Sequence, residues 1–307
     1  MSSGSPRLAG FGLGFLMLAA GVAGTWLSWR YFVDTVAGQR LDESAFAGSK
    51  IGRNTLWRAA EPVLEIVSIP FVVIVLVAAA VIAFARRRWF LALQVTVLVG
   101  GANLTTQVLK RVVFDRPDLA SEITAPGNSL PSGHTTVAAS VAAALLLVVP
   151  RSARPVVAVL GGGYAAVTGV STMVGGWHRP SDVIAAFAVV LAWAGLTTML
   201  TAVSSPERAP ADGSGAAATK VVATLLMFGA VVAGGFAVSA LLRTQDRLDT
   251  VGALTGRSDL ATAYVGSAFG VVAAAAALFA AVLVAHQIAA GARLSATSGT
   301  RQVQPAR

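Results

Sequence analysis

Three polar clusters carry residues able to do chemistry together: Lys110-Arg111 through Asp115-Arg116-Pro117, Asn128 through Pro131-Ser132-Gly133-His134, and Ser171-Thr172 through His178-Arg179-Pro180-Ser181-Asp182. Two of the chain's three histidines lie in them. A neutral imidazole backed by a carboxylate can act as a nucleophile, and Asp182 stands four residues after His178. There it can fix the imidazole tautomer and stabilise the ring once positive. His134 is the second imidazole, able to protonate a leaving oxygen. Pro131-Ser132-Gly133 before an apolar helix is an anion cradle. Free N–H groups point out of the helix start, the dipole favours negative charge, Gly133 admits close backbone approach, and Ser132 adds a hydroxyl. Lys110 and Arg116 can neutralise phosphate oxygens, Arg116 with a bidentate fork. Phosphoryl transfer needs little beyond in-line positioning and charge stabilisation. Singly, each group also fits a plainer role: Ser132 as an N-cap, Lys110 and Arg116 as headgroup-facing snorkels, Asp182 as a dipole partner of its helix. Their convergence favours the chemical reading.

The elements that must position these groups are membrane helices. The 307 residues are 55% hydrophobic and 12% charged, against roughly 25% charged in soluble domains. Stretches long and apolar enough to span a bilayer lie at about 8–29, 63–85, 89–109, 134–150, 155–176, 182–203, 221–242 and 264–290. The first resembles a signal peptide in its small residues Ala20 to Gly24. Its length and its Trp26-Leu-Ser-Trp29 exit favour a retained anchor. The expected fold is all-α: a polytopic bundle with a six-helix core over 1–203, a cytoplasmic linker over 204–220, a C-terminal transmembrane pair over 221–292 and a disordered tail over 293–307. Recurrent glycines such as Gly10-x-x-x-Gly14 and Gly161-Gly162-Gly163 are read as close helix packing.

Short basic loops set orientation. Arg86-Arg87-Arg88, and Arg151 with Arg154, mark cytoplasmic connections. Both termini are then cytoplasmic. The connections 30–62, 110–133, 177–181 and 243–263, and with them the three clusters, lie outside. The net charge of +9 fits lipid headgroups and a phosphate site rather than nucleic acid. With no cysteine and three histidines, neither thiolate chemistry nor a multi-histidine metal site is expected, and no cofactor is implied.

In order and spacing, the clusters resemble the type 2 phosphatidic acid phosphatase superfamily of lipid phosphatases. Its pattern is Lys, six residues, Arg-Pro; Pro-Ser-Gly-His; and Ser-Arg, five residues, His, three residues, Asp. The second part is complete at Pro131 to His134, and the third matches at Ser171, His178 and Asp182. The resemblance covers the six-helix unit and leaves out the last two helices. It implies a phosphohistidine at His178, oriented by Asp182, with His134 as general acid. Lys110, Arg116, Ser132 and Gly133 would hold the phosphate. Two departures matter. Five residues, not six, separate Lys110 from Arg116, and Thr172 replaces the family's arginine. Arg179 is the expected replacement and Arg111 the next candidate. The implied activity is hydrolysis of a phosphomonoester or pyrophosphate on a lipid, phosphatidate-type or polyprenyl, at the extracytoplasmic face. Transfer to a lipid or glycan hydroxyl, or weak lipid-phosphate binding without turnover, are the alternatives. Oligomeric state is open.

Overall fold

The computed structural model describes residues 6–51, 53–66, 74, 77, 81, 89–120, 128–204 and 215–301. All of its regular elements there are helical: α1 (Pro6–Ser28), α2 (Val36–Gly48), α3 (Arg53–Ile66), α4 (Trp89–Val108), α5 (Gly133–Val148), α6 (Arg154–Val174), α7 (Pro180–Val203), α8 (Ala216–Val251) and α9 (Arg257–Arg301). Helices α1 and α4 run on into wider π-type turns, Trp29–Val33 and Leu109–Val113. Among the described residues, six spans are long and apolar enough to cross a membrane: the protein is a multi-pass membrane protein. Of the stretches expected from sequence, 63–85 lies mostly outside the described residues, as do Arg86 to Arg88 and most of the 204–220 linker.

Helix α7 is the most buried of the six spans. Helix α1 lies along it at backbone contact. A Cβ on Gly14 would stand 2.7 Å from the Gly195 oxygen, and one on Gly21 would stand 2.4 Å from the Ala192 nitrogen. Close approach of small residues replaces the hydrophobic drive that lipid cannot supply. Helix α5 has 16 residues, about 24 Å at 1.5 Å per residue. That is short for a span, and its faces are covered by α4, α6 and α7.

Two features depart from the expected layout. The connection 30–62 is not an open loop: it folds into α2 and most of α3, with Thr35 capping α2 through the Gly38 N–H at 3.0 Å. The C-terminal pair packs into the bundle. Val271, Phe279 and Leu283 of α9 are fully buried in the same hydrophobic core as Leu98, Leu146 and Phe187. The α9 backbone remains helical to Arg301, through most of the segment assigned to a disordered tail. Its alanines favour helix over coil.

Candidate active site

The N-termini of α5 and α7 and the C-termini of α4 and α6 meet at one end of the bundle. The first N–H groups of helix α7 have no carbonyl acceptor in a preceding turn. Pro180 at its first position has no N–H to lose, and the Asp182 side chain turns back to accept from the Arg179 N–H at 2.9 Å. The same oxygen, Oδ2, lies 3.0 Å from His178 Nδ1 and accepts from Ser129 Oγ at 2.7 Å. Asp182 and His178 are both buried. The contact holds Nδ1 against the carboxylate, and in the neutral tautomer that donates from Nδ1 the free lone pair is on Nε2.

The turn that delivers His178 is fixed from below. The N–H groups of Trp177 and His178 both donate to the Thr172 carbonyl, at 3.0 and 3.3 Å. Gly176 has φ +69°, a left-handed conformation that other residues rarely adopt. Thr172 itself is fully buried, its Oγ1 donating to the Gly169 carbonyl at 2.7 Å.

The cradle is tied directly to α7: the Ser132 N–H donates to the Asp182 carbonyl at 2.9 Å. Ser132 is buried, and its Oγ accepts from the Thr135 N–H and Oγ1 at 3.4 and 3.0 Å. The serine therefore works as the N-cap of α5. The peptide before Pro131 is cis. Gly133 leaves open space on its Cα, with Gln107 Nε2 nearest at 3.7 Å from a built Cβ. His134 stacks beside Trp177, centroids 5.3 Å apart, and lies within electrostatic reach of His178 and Lys110. Neither the His134 ring nor the Lys110 ammonium has a hydrogen-bond partner among the described residues.

Lys110 sits in the π-type turn at the end of α4 and is within electrostatic reach of Asp182. Asn128 locks that turn to the approach of α5: its Nδ2 donates to the carbonyls of Phe114 and Leu130 at 3.0 and 3.1 Å, while its Oδ1 accepts from the Leu130 N–H. Residues 114–117 are braced from the N-terminal side. Phe114 stacks on Trp29 at 5.1 Å, Trp29 Nε1 donates to the Asp115 carbonyl, and Gln39 Nε2 donates to the Pro117 carbonyl at 2.7 Å. Arg116 lies among Arg179, Asp42, Asp182 and Glu43, and its Nη2 is buried without a partner among the described residues. Burial, then repulsion from Arg179, pulls its pKa down from the ordinary arginine value.

The structure thus gathers Lys110, Arg116, Ser132, Gly133, His134, His178 and Asp182 at one end. Arg179 has a different commitment from the one expected of it. Its Nε and Nη2 donate to Glu43 Oε2 at 3.2 and 3.0 Å, and its guanidinium lies over Phe46 at 5.0 Å. Arg111 is exposed. Sequence reasoning placed Asn128 and Ser129 in the second cluster without giving them a role, and missed Asp42 and Glu43 as parts of this end. Asn128 and Ser129 were legible as neighbours of the Pro-Ser-Gly-His run. Asp42 and Glu43 carry no local signal. Among the described residues, no three His, Asp or Glu side chains are grouped as a metal site.

Residues 90–206 match the PAP2 superfamily. Among solved structures, the chain is similar to a transmembrane PAP2-type phosphatidylglycerolphosphate phosphatase from Bacillus subtilis, at 23% identity and a TM-score of 0.44, covering 63% of this chain and 93% of that one. No curated protein matches.

Proposed function

On the premise that this chain is a member of the PAP2 superfamily through residues 90–206, we propose that it is a metal-independent lipid phosphatase acting at the extracytoplasmic face. The observation that carries this reading is the His178–Asp182 contact of 3.0 Å at the buried start of α7, beside a histidine and an ammonium without hydrogen-bond partners among the described residues. His178 Nε2 attacks phosphorus, and the bond from phosphorus to the lipid oxygen breaks as His134 delivers a proton to that oxygen. Asp182 stabilises the imidazolium character that develops on His178. Water then attacks the phosphohistidine while His134 takes its proton. The P–N bond breaks, and His178 and inorganic phosphate are restored. Lys110, Arg116 and the free amides at the start of α5 hold the phosphate oxygens as charge develops. The substrate class is a phosphomonoester or pyrophosphate on a phosphatidate-type or polyprenyl lipid.

The test is phosphate release by the purified full chain in detergent, with EDTA present, from phosphatidate, phosphatidylglycerol phosphate and polyprenyl phosphates. Release from at least one, with an acid-labile phosphoenzyme absent in His178→Ala, is expected. Turnover that stops with EDTA and returns with a divalent ion would overturn metal independence. Label moving into a lipid instead of free phosphate would make the protein a transferase. The face is tested in intact cells, since the chain has no cysteine. An impermeant thiol reagent should label Asp118→Cys and spare Ser152→Cys, at the opposite end of the bundle.

A further inference from the structure

We propose that Asp42 and Glu43, adjacent residues on α2, are positioning residues for the nucleophile: they grip the turn on either side of Pro180 and so set the His178–Asp182 pair. The inference rests on the reading of His178 given above.

Asp42 Oδ1 accepts from the Ser181 N–H at 3.1 Å, and its Oδ2 accepts from Ser181 Oγ at 2.6 Å. Glu43 Oε2 takes two N–H groups of Arg179. Arg179 in turn donates its backbone N–H to Asp182 Oδ2, the oxygen that faces His178. Two consecutive carboxylates therefore hold residues 179 and 181, and residues 178 and 182 lie immediately outside that grip. These are contacts across 136 and 139 residues of sequence. They come from a segment before residue 90, where the PAP2 match begins.

Asp42 is an expensive way to hold a helix end. It is 3% exposed, beside a cavity of about 130 Å³ walled by Phe32, Leu41, Ile184 and Leu241. Burial and then the Asp182 charge push it up to about 7. A neutral side chain could cap Ser181 without that cost. The charged and titratable groups facing Asp42 are Asp182 and Arg179 at the start of α7, Arg116 from the loop after α4, and Glu43 beside it. The α8 and α9 walls of the cavity contribute Thr244 and Ser267 and, among the described residues, no charged group. A carboxylate placed there acts on the electrostatics of the His178–Asp182 pair as well as on its geometry.

The experiment compares Asp42→Ala, Asp42→Asn, Glu43→Ala and Glu43→Gln in the full chain. Phosphatidate in mixed micelles is the activity probe, and the nitrogen resonances of ¹⁵N-labelled histidine report on His178. Asp42→Ala and Glu43→Ala should lower kcat by up to about 10²-fold, the scale of a small misplacement at a reacting centre, with KM within a few-fold. His178 should lose its single Nδ1–H tautomer. Asp42→Asn keeps an acceptor for the Ser181 N–H. It should recover most of kcat but lose an inflection near pH 7 from the kcat profile. Wild-type kcat and an unchanged His178 tautomer in Asp42→Ala would overturn the proposal. If Asp42→Ala does not fold, the Asn and Gln variants decide it by the same two readings. If the wild-type protein leaves phosphatidate intact, the substrate reading fails while the histidine resonances still test the grip.

Discussion

The two halves of the candidate site are built differently. At the start of α7, nearly every polar atom already has a protein partner. Asp182 Oδ2 alone serves His178, Ser129 and the Arg179 amide, and Arg179 is matched to Glu43. Across from it, Lys110 and His134 have no hydrogen-bond partner among the described residues, and Arg116 Nη2 is buried with none. Burying a donor without a partner is costly, and crowding Arg116 beside Arg179 adds like-charge repulsion. The first half is set before any ligand arrives, so it suits a group whose orientation decides the chemistry. The second half is left cationic and unsatisfied, and an anion relieves both penalties.

That contrast is most easily broken at its strongest point. His178→Ala should leave no turnover above roughly 10⁻⁴ of wild type, and Asp182→Asn should cost about 10³–10⁴ because the tautomer is lost. Inorganic phosphate should inhibit Asp182→Asn within a few-fold of its wild-type potency. Wild-type-like turnover in either variant would remove α7 from the chemistry. On the cradle side, His134→Ala should cost about 10²–10⁴ and Lys110→Ala about 10²–10³. Lys110→Ala should also weaken inhibition by phosphate. A Lys110 variant that loses rate but keeps phosphate affinity would erase the distinction between the halves.

Arg179 tests where the boundary runs. Held by Glu43, it belongs to the satisfied half, so Arg179→Ala should lower kcat by roughly 10-fold, less than the about 10²–10³ expected of a transition-state cation. A loss of that larger size would move Arg179 into the cradle. Placing an arginine there with Thr172→Arg should reduce the yield of folded protein, because position 172 is fully buried.

The smaller effects are thermodynamic. Asp42, at about 7, lies above its ordinary value of 3.8, so folding takes up a proton between those values. Its ionisation therefore costs native stability progressively as pH rises from about 4, and the cost is complete above about 7. The Tm of Asp42→Asn relative to wild type should improve across that window; a pH-independent difference would show Asp42 to be ordinary. Smallest of all, Gly133→Ala should leave Tm nearly unchanged, since the nearest atom to a Cβ there is 3.7 Å away. Any fall in activity would then come from crowding the cradle and not from strain.

The sequence by itself determined the solvent, the helical class and the chemical vocabulary. Uninterrupted apolar runs have few options in lipid except helices, because backbone groups must be satisfied within the segment. Motif residues at helix ends are recognisable because caps and anion sites obey local rules: Pro180, Asp182 and the Pro131-Ser132-Gly133-His134 run are all readable within a few positions. Tertiary structure alone decided which charges are spent on the protein itself. Arg179 looked like the substitute for a missing cation because it follows His178, yet side-chain direction is set by what packs across the turn, and Glu43 packs there. Segment 30–62 read as a loop because it is polar and short in apolar residues. It folds because Asp42, Glu43 and Gln39 are satisfied by residues more than seventy positions away, and no window on a sequence carries a partner at that distance. The same holds for α9, whose Val271 and Phe279 are core: in a membrane chain, buried and lipid-exposed helix faces are equally apolar, so composition does not distinguish them.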